Sequence, residues 1–299
     1  MFQRLWKPWF VHRPTQIGRR LYASMSPKAA GYQALQTSWG VAVSADPTKT
    51  IGRNIVTTGL YDIALSEALA RLITPGDLVI DAGANIGYMT VLMALVAGPK
   101  GRVHAFEPHP ELFQILKTNV GNAARLHGIA NVELHQAALG DRPGTATLSM
   151  PDGFGANDGI ATIVQDGSAG ANTVTVVQET LDGVLGEAIA TVMKLDVEGF
   201  EYQVLQGAIR ALQAKRIRHV LFEDHNSANS EVVRLFQELG YAVYSLGWTI
   251  RGIVLAPIAQ GSLAVAYEAP NFVATVDSED LLKRCAPKGW RVLRGGLGK

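Results

Sequence analysis

The chain predicts an α/β protein built on an open, mostly parallel sheet, and three observations carry that expectation. Short apolar runs alternate with stretches of helical spacing from residue 57 to residue 239, the pattern of repeated strand–helix–strand units. One run, residues 78–82, passes straight into a turn with spaced glycines and then a helix-compatible stretch, the place where open α/β sheets bind nucleotides. Hydrophobic residues make up 47% of the 299 and charged residues 18%, which suits an enzyme-sized core and not a disordered chain.

The same composition excludes several classes. A net charge of +1 sets up no global field for nucleic acid, so no nucleic-acid partner is expected. Cys285 is the only cysteine, which excludes an internal disulfide and a multi-cysteine metal site, and a reducing, cytoplasmic setting is the default expectation. No apolar run reaches the 18 residues or so that a membrane span needs. Residues 1–10 lack the apolar segment and cleavage site of a secretory signal.

Taken in order, residues 1–50 read as a basic, aromatic arm. Positions 1–45 hold no Asp or Glu, but carry Arg4, Lys7, Arg13, Arg19, Arg20 and Lys28 interleaved with Trp6, Trp9, Phe10, Tyr22 and Trp39. Such an arm either packs its aromatics on the main domain or makes peripheral contact with an anionic membrane surface, a nucleic acid, or an acidic or sugar-containing substrate. Residues 51–276 are expected to form the main domain, and 277–299 a C-terminal tail.

Ile63, Leu65, Leu69, Leu72 and Ile73 give helical spacing to residues 57–73, and the turn Thr74-Pro-Gly-Asp77 delivers the chain into the strand at Leu78. Residues 102–107 read as a second strand, stopped by Pro108 and Pro110, and 131–139 as a third. A polar, glycine-rich loop over 151–172 follows, with a short apolar interruption at 160–164. Strands are then expected at 173–177, 191–196 and 219–223, with helices after the last two and Gly240 capping the second. Residues 241–246, 250–255 and 271–275 are strand-like with little helix between them, which suits an antiparallel pair closing one edge of the sheet.

The turn after the first sheet strand reads Asp81-x-Gly83-x-Asn85-x-Gly87. An acid opening the turn is unwelcome beside a pyrophosphate but suits a cationic or amine-bearing ligand, whereas an ordinary turn would use glycine only to bend. Glu107 ends the second strand, 20 residues after Gly87, where a carboxylate can take both ribose hydroxyls of a nucleoside. The competing reading is an exposed strand-end charge. Two acids, with no phosphate-seeking Lys or Arg in the turn, favour S-adenosylmethionine.

Asp196, Glu198 and Glu201 follow one later strand, and Glu223, Asp224 and His225 the next. In a parallel sheet these strand ends share one edge, so the acids face the same crevice. They can take a proton from a substrate hydroxyl or hold a divalent ion such as Mg²⁺. Against that, Glu198 and Glu201 also fit a helix first turn, where acids are favoured, and His225 an ordinary surface histidine. Lys194, two residues before Asp196, points to the same face of its strand and can pair with an acid or bind substrate.

The set Asp81-Ala-Gly-Ala-Asn-Ile-Gly87, Ala105-Phe-Glu-Pro-His-Pro110, Ala138-Leu-Gly-Asp-Arg142 and Lys194-Leu-Asp-Val-Glu-Gly-Phe-Glu201 resembles, in order and content, the FkbM-type methyltransferases. Leu221-Phe-Glu223 and Gly59-Leu-Tyr-Asp62 also fit, though the family more often has Glu in place of Asp62. The resemblance runs from about residue 52 to about 275. It implies a Rossmann-like class I methyltransferase fold, with a mostly parallel seven-stranded sheet and an antiparallel edge strand. It also implies methyl transfer to oxygen, largely on hydroxyls of sugars, glycolipids or natural products.

With the resemblance, Asp81, Gly83, Asn85 and Gly87 are expected around the methionine end of the cofactor, Glu107 at the ribose, Ala138 and Leu139 near the adenine, and Tyr61 beside them. His225, Asp196 and then Glu223 are the expected bases, the acceptor being a small molecule or glycan. Two other classes stand beside this one. A short-chain dehydrogenase needs a Tyr-x-x-x-Lys pair, which is missing; a catalytically silent binding protein of the same fold fits the same motifs.

Overall fold

The computed structural model describes residues 7–12, 18, 30–129, 131–150, 162–164, 172–224, 230–258, 271–295 and 297. The N-terminal part holds α1 (Pro8–His12), β1 (Gln33–Gln36), β2 (Ala42–Ala45), α2 (Thr50–Thr58) and α3 (Ile63–Leu72). Alternation begins with β3 (Leu78–Ala82), α4 (Tyr88–Ala97), β4 (Arg102–Phe106), α5 (Pro110–His127) and β5 (Asn131–His135). Four short strands follow, β6 (Ala137–Leu139), β7 (Gly144–Ser149), β8 (Thr162–Val164) and β9 (Thr173–Glu179). The chain continues through α6 (Leu181–Leu185), β10 (Ala190–Leu195), α7 (Glu201–Gln206), α8 (Ile209–Gln213), β11 (Ile217–Glu223) and α9 (Glu231–Glu238). It closes with β12 (Ala242–Thr249), β13 (Gly252–Pro257), β14 (Asn271–Thr275) and α10 (Ser278–Cys285).

The main sheet has the order β13-β12-β14-β11-β10-β3-β4-β5. Its five strands from β11 to β5 are mutually parallel. On the other side β14 inserts antiparallel between β11 and β12, and β13 pairs antiparallel with β12 at the edge. The mostly parallel sheet with an antiparallel edge strand is therefore present, with eight strands among the described residues where seven were expected. The eighth arises because the turn at Ile250 and Arg251 folds residues 252–257 back on β12 as a hairpin.

Side-chain alternation divides the core between the two faces of this sheet. Val79, Val103, Ala105, Val192, Leu221 and Val273 face one cluster, shared with α3, α4 and α5. Ile80, Ala82, Phe106, Met193, Val220 and Phe272 face the other, covered by α7, α8 and α9.

The stretch expected as one helix over 57–73 is two. Gly59, at φ 85°, ends α2 in the left-handed conformation that favours glycine, and the Asp62 carboxylate caps α3 by accepting from the Leu65 amide at 2.9 Å. The expected third strand, 131–139, also divides. It leaves the main sheet after His135, and residues 137–139 join a second sheet ordered β6-β9-β7-β8. Most of the 151–172 loop lies outside the described residues.

Part of the N-terminal arm packs on the domain. Trp9, Phe10, Trp39 and Val43 are buried, and Trp9 lies 5.6 Å from the Trp248 ring. The segment after β14 packs as well: Leu281, Trp290, Val292 and Leu293 are buried. A buried ion pair fastens it. Arg71 Nε donates to Glu67 Oε1 at 2.7 Å, and the guanidinium donates to the carbonyls of Cys285, Pro287 and Gly289. Glu67 in turn accepts from the amides of Arg291 and Val292, each at 3.0 Å. No helix among the described residues is long and apolar enough to cross a membrane.

Candidate active site

At the carboxyl ends of β3, β4, β10 and β11 the sheet opens on a cleft of about 1290 Å³, part of it open to solvent.

The turn after β3 is held from below. Asp81 is fully buried, and Oδ2 accepts from the Thr90 hydroxyl at 2.6 Å. Register places Lys194 of β10 beside Asp81, and Lys194 Nζ stands 3.4 Å from Asp81 Oδ1 and 3.4 Å from Asp196 Oδ2. The same ammonium donates to the Gly83 carbonyl at 2.6 Å. Burial works against the Lys194 charge, but the Asp196 and Asp81 carboxylates prevail and hold it up to about 12. Asp81 therefore supports the turn from beneath, and neither Asp81 nor Gly87 is among the residues lining the cleft.

Packing requires glycine at position 83, and left-handed backbone favours it at both 83 and 87. At Gly83 (φ 78°) a Cβ would come within 1.9 Å of the Asp196 carbonyl oxygen, and at Gly87 (φ 87°) within 2.6 Å of the Leu116 side chain. Both keep the β3–α4 turn tight against its neighbours. Asn119 adds a third tie: its side-chain amide donates to the Ile86 carbonyl at 2.7 Å and to Ser44 of β2 at 3.0 Å.

Of the residues the sequence singles out, Gly83, Asn85, Glu107, Ala138, Leu139 and Tyr61 lie on the cleft wall, with Asp196 and Glu223 among the acids. Glu107 is nearly buried; it accepts from the Asn85 amide at 2.7 Å and the His109 amide at 2.8 Å. Each carboxylate oxygen keeps a further lone pair for a ligand. Burial pushes Glu107 up to about 7, with the two amides and Lys194 pulling it back.

Acids crowd the far end. Glu198, in left-handed backbone at φ 53°, lines the main cleft and an adjoining acidic recess with Asp196, Glu223, Glu201 and Asp224. Burial, then the Asp196 and Glu201 charges, raise Glu198 to about 7. The Tyr61 phenol is pushed well above its ordinary value by burial and by Asp196, Asp62, Glu223 and Glu198, so it stays protonated. His225 lies outside the described residues. Among the described residues these acids bring no three ligand atoms into one coordination sphere, so the donor geometry lends Mg²⁺ no support.

Sequence reasoning missed one wall. Tyr32, Asp46, Lys49 and Thr50 line the cleft from the N-terminal side, and Ile163 of β8 lines it from the second sheet. Tyr88 joins that wall to the site: its hydroxyl accepts from Trp39 Nε1 at 2.9 Å and from the Tyr61 amide at 3.2 Å. No local pattern marks these residues, because only the folded N-terminal hairpin brings them to the sheet edge.

A nucleoside carrying a cation fits what is present. The cleft offers a buried carboxylate with free lone pairs, a tight glycine turn, apolar walls at Ala138 and Leu139, and an acid-rich end whose nearby Lys194 is already committed to two carboxylates.

The family model described as "Methyltransferase FkbM domain" matches residues 81–243. A protein of Streptomyces tacrolimicus named 31-O-demethyl-FK506 methyltransferase FkbM is 32% identical over 56% of this chain and 74% of its own length. Hexuronic acid methyltransferase AglP of Haloferax volcanii is 29% identical over 54% of this chain and 62% of its own. The crystal structure of a methyltransferase FkbM from Methylobacillus flagellatus superimposes with a TM-score of 0.45 at 16% identity, covering 67% of this chain and 43% of that one.

Proposed function

The chain belongs to the family of FkbM methyltransferases, and we propose that it moves the methyl group of S-adenosylmethionine to a hydroxyl oxygen of a sugar, glycolipid or natural-product acceptor. The observation that carries this reading is the pairing, in one cleft, of the buried Glu107 carboxylate with the acidic end formed by Asp196, Glu198 and Glu223. The first suits a ribose and the second a cationic methyl donor next to a hydroxyl that must lose its proton. The names of the two relatives, one for 31-O-demethyl-FK506 and one for hexuronic acid, support an oxygen-bearing acceptor.

Bound in the cleft, S-adenosylmethionine supplies a methyl group made electrophilic by its sulfonium. Glu107 would accept hydrogen bonds from the ribose hydroxyls, the Gly83–Asn85 backbone would border the methionine end, and Ala138 and Leu139 would hold the adenine. Asp81 and Gly87 hold that turn in place, and Tyr61 lines the cleft within reach of the acids' charge. Displacement at a methyl carbon needs alignment above all, which the rigid turn and the strand ends supply.

Asp196, Glu223 and His225 are the bases expected from the sequence, and Glu198 joins them on its proton affinity. A base that titrates near 7 is best matched to a proton transfer at neutral pH. Glu198→Gln is expected to lower kcat by about 10²–10⁴ while S-adenosylhomocysteine still binds. Unchanged turnover in that variant would remove Glu198 from the role. The reading as a whole is tested by offering labelled S-adenosylmethionine and a panel of glycosides, glycolipids and hydroxylated metabolites to the purified protein. An alkali-stable methyl ether as product is expected. Label found only on nitrogen or carbon, or a cofactor bound with no transfer to any hydroxyl, would overturn it.

A further inference from the structure

Away from the cleft, the outer strands of the main sheet bring His104, Glu133 and His135 together. His104 stands at the middle of β4, Glu133 is its register partner on β5, and His135 follows on the same face two residues later. His104 Nδ1 lies 3.2 Å from His135 Nε2 and 3.6 Å from Glu133 Oε2. One ligand atom from each of the three lies within 4.8 Å of the others. Two ligands held about 2.0–2.1 Å from a tetrahedral zinc ion stand roughly 3.3 Å apart, so the observed spacing is that of one coordination sphere.

The surroundings aim these atoms. The other ring nitrogen of His135, Nδ1, lies 3.2 Å from Glu179 Oε2 at the end of β9. A carboxylate at that distance favours the tautomer with the proton on Nδ1 and leaves Nε2 as a lone-pair donor, the polarity found behind metal-bound histidines. The His135 ring is also stacked on Phe106, with centroids 4.3 Å apart and planes at 20°. His104 is buried, while the Glu133 side chain is 46% exposed, so solvent water can complete the sphere. The second Glu133 oxygen is only loosely engaged, 3.8 Å from Arg102 Nε.

We propose that His104, Glu133 and His135 form a site for a divalent transition-metal ion of the zinc class, with Glu179 positioning His135. Two imidazoles and one carboxylate suit Zn²⁺ or Co²⁺, whereas Mg²⁺ demands a shell of oxygens. The ion ties the outermost parallel strand, β5, to β4. It also steadies the cleft, because the His135 carbonyl accepts the Glu107 amide at 3.1 Å.

The test uses full-length, tag-free protein stripped with chelator and titrated with Co²⁺. One Co²⁺ per chain with the intense visible absorption of a four-coordinate site is expected, displaced by Zn²⁺ and unaffected by excess Mg²⁺. Zn²⁺ should raise Tm. His135→Ala should abolish the spectrum, and Glu179→Gln should weaken Co²⁺ affinity by about 10–100-fold without changing the band shape. Glu133→Gln, altered at an exposed side chain, keeps the test valid if His135→Ala misfolds, and it should also lose the four-coordinate spectrum. S-adenosylhomocysteine binding, followed in the same samples, reports folding and the cofactor cleft separately from the metal. No Co²⁺ absorption in the wild type, or absorption that survives both His135→Ala and Glu133→Gln, would overturn the proposal.

Discussion

Lys194 is buried between Asp81 and Asp196 and donates to the Gly83 carbonyl, so one ammonium fixes a strand end, a glycine turn and an acid of the cleft. Removing it leaves buried carboxylate without its counter-charge, a loss of about 3–5 kcal/mol. Lys194→Met should therefore lower the unfolding free energy by that amount, read as a lower urea midpoint at unchanged m-value; an undiminished midpoint would show that the pair is not what holds the turn. Glu107 and Glu198 make the opposite contribution. Both titrate near 7 in the folded protein, above the ordinary 4.5 of a glutamate, so the native state binds more protons than the unfolded chain between those values. Their stabilisation is complete below about 4.5 and is lost as pH rises through about 7. Thermal melts of ligand-free protein should show Tm falling from pH 5 to pH 8, with a shallower fall in Glu198→Gln. Identical slopes in the two proteins would refute the assignment. If Glu198 is the base, kcat should rise over the same range and level off above pH 7.

Among the elements, local signals explain what was legible. The β3 strand, its turn and the α4 start are recognisable because apolar run, Asp81, Gly83 and Gly87 are consecutive in the chain. The β12–β13 pair follows from two strand-like runs with little helix between them, although Ile250 and Arg251 form its turn and not its second strand. The division of the third strand was hidden, since residues 131–139 have uniform strand character and only pairing with β9 pulls 137–139 into another sheet. Likewise, the Arg71–Glu67 pair recruits the C-terminal segment through backbone groups of residues 285–292, which no side-chain pattern announces. Arg71→Met should cost about 3–5 kcal/mol by stranding the buried Glu67. Hydrogen exchange should then show the amides of Arg291 and Val292 losing protection before those of β10. Equal protection in variant and wild type would contradict that fastening role.

For the molecule as a whole, one sheet with helices on both faces places the ends of four parallel strands on a single edge, and the cleft follows from that topology. The acids of residues 196–201 and 223–224 could be assigned to that edge from strand order alone. Which of them face the cleft, and that Asp81 sits beneath the turn, depend on register between β3 and β10, a non-local fact. The N-terminal wall at Tyr32, Asp46 and Lys49 was invisible for the same reason, because residues far apart in the chain meet there. The ligand proposed for this cleft is S-adenosylmethionine, with Glu107 at its ribose. The most direct measurement is calorimetric titration of the purified protein with S-adenosylhomocysteine, in the wild type and in Glu107→Gln. Saturable 1:1 binding is predicted, weakened in Glu107→Gln by about 1.5–3 kcal/mol, the worth of hydrogen bonds to a charged group. No binding in the wild type, or equal affinity in the two proteins, would contradict it.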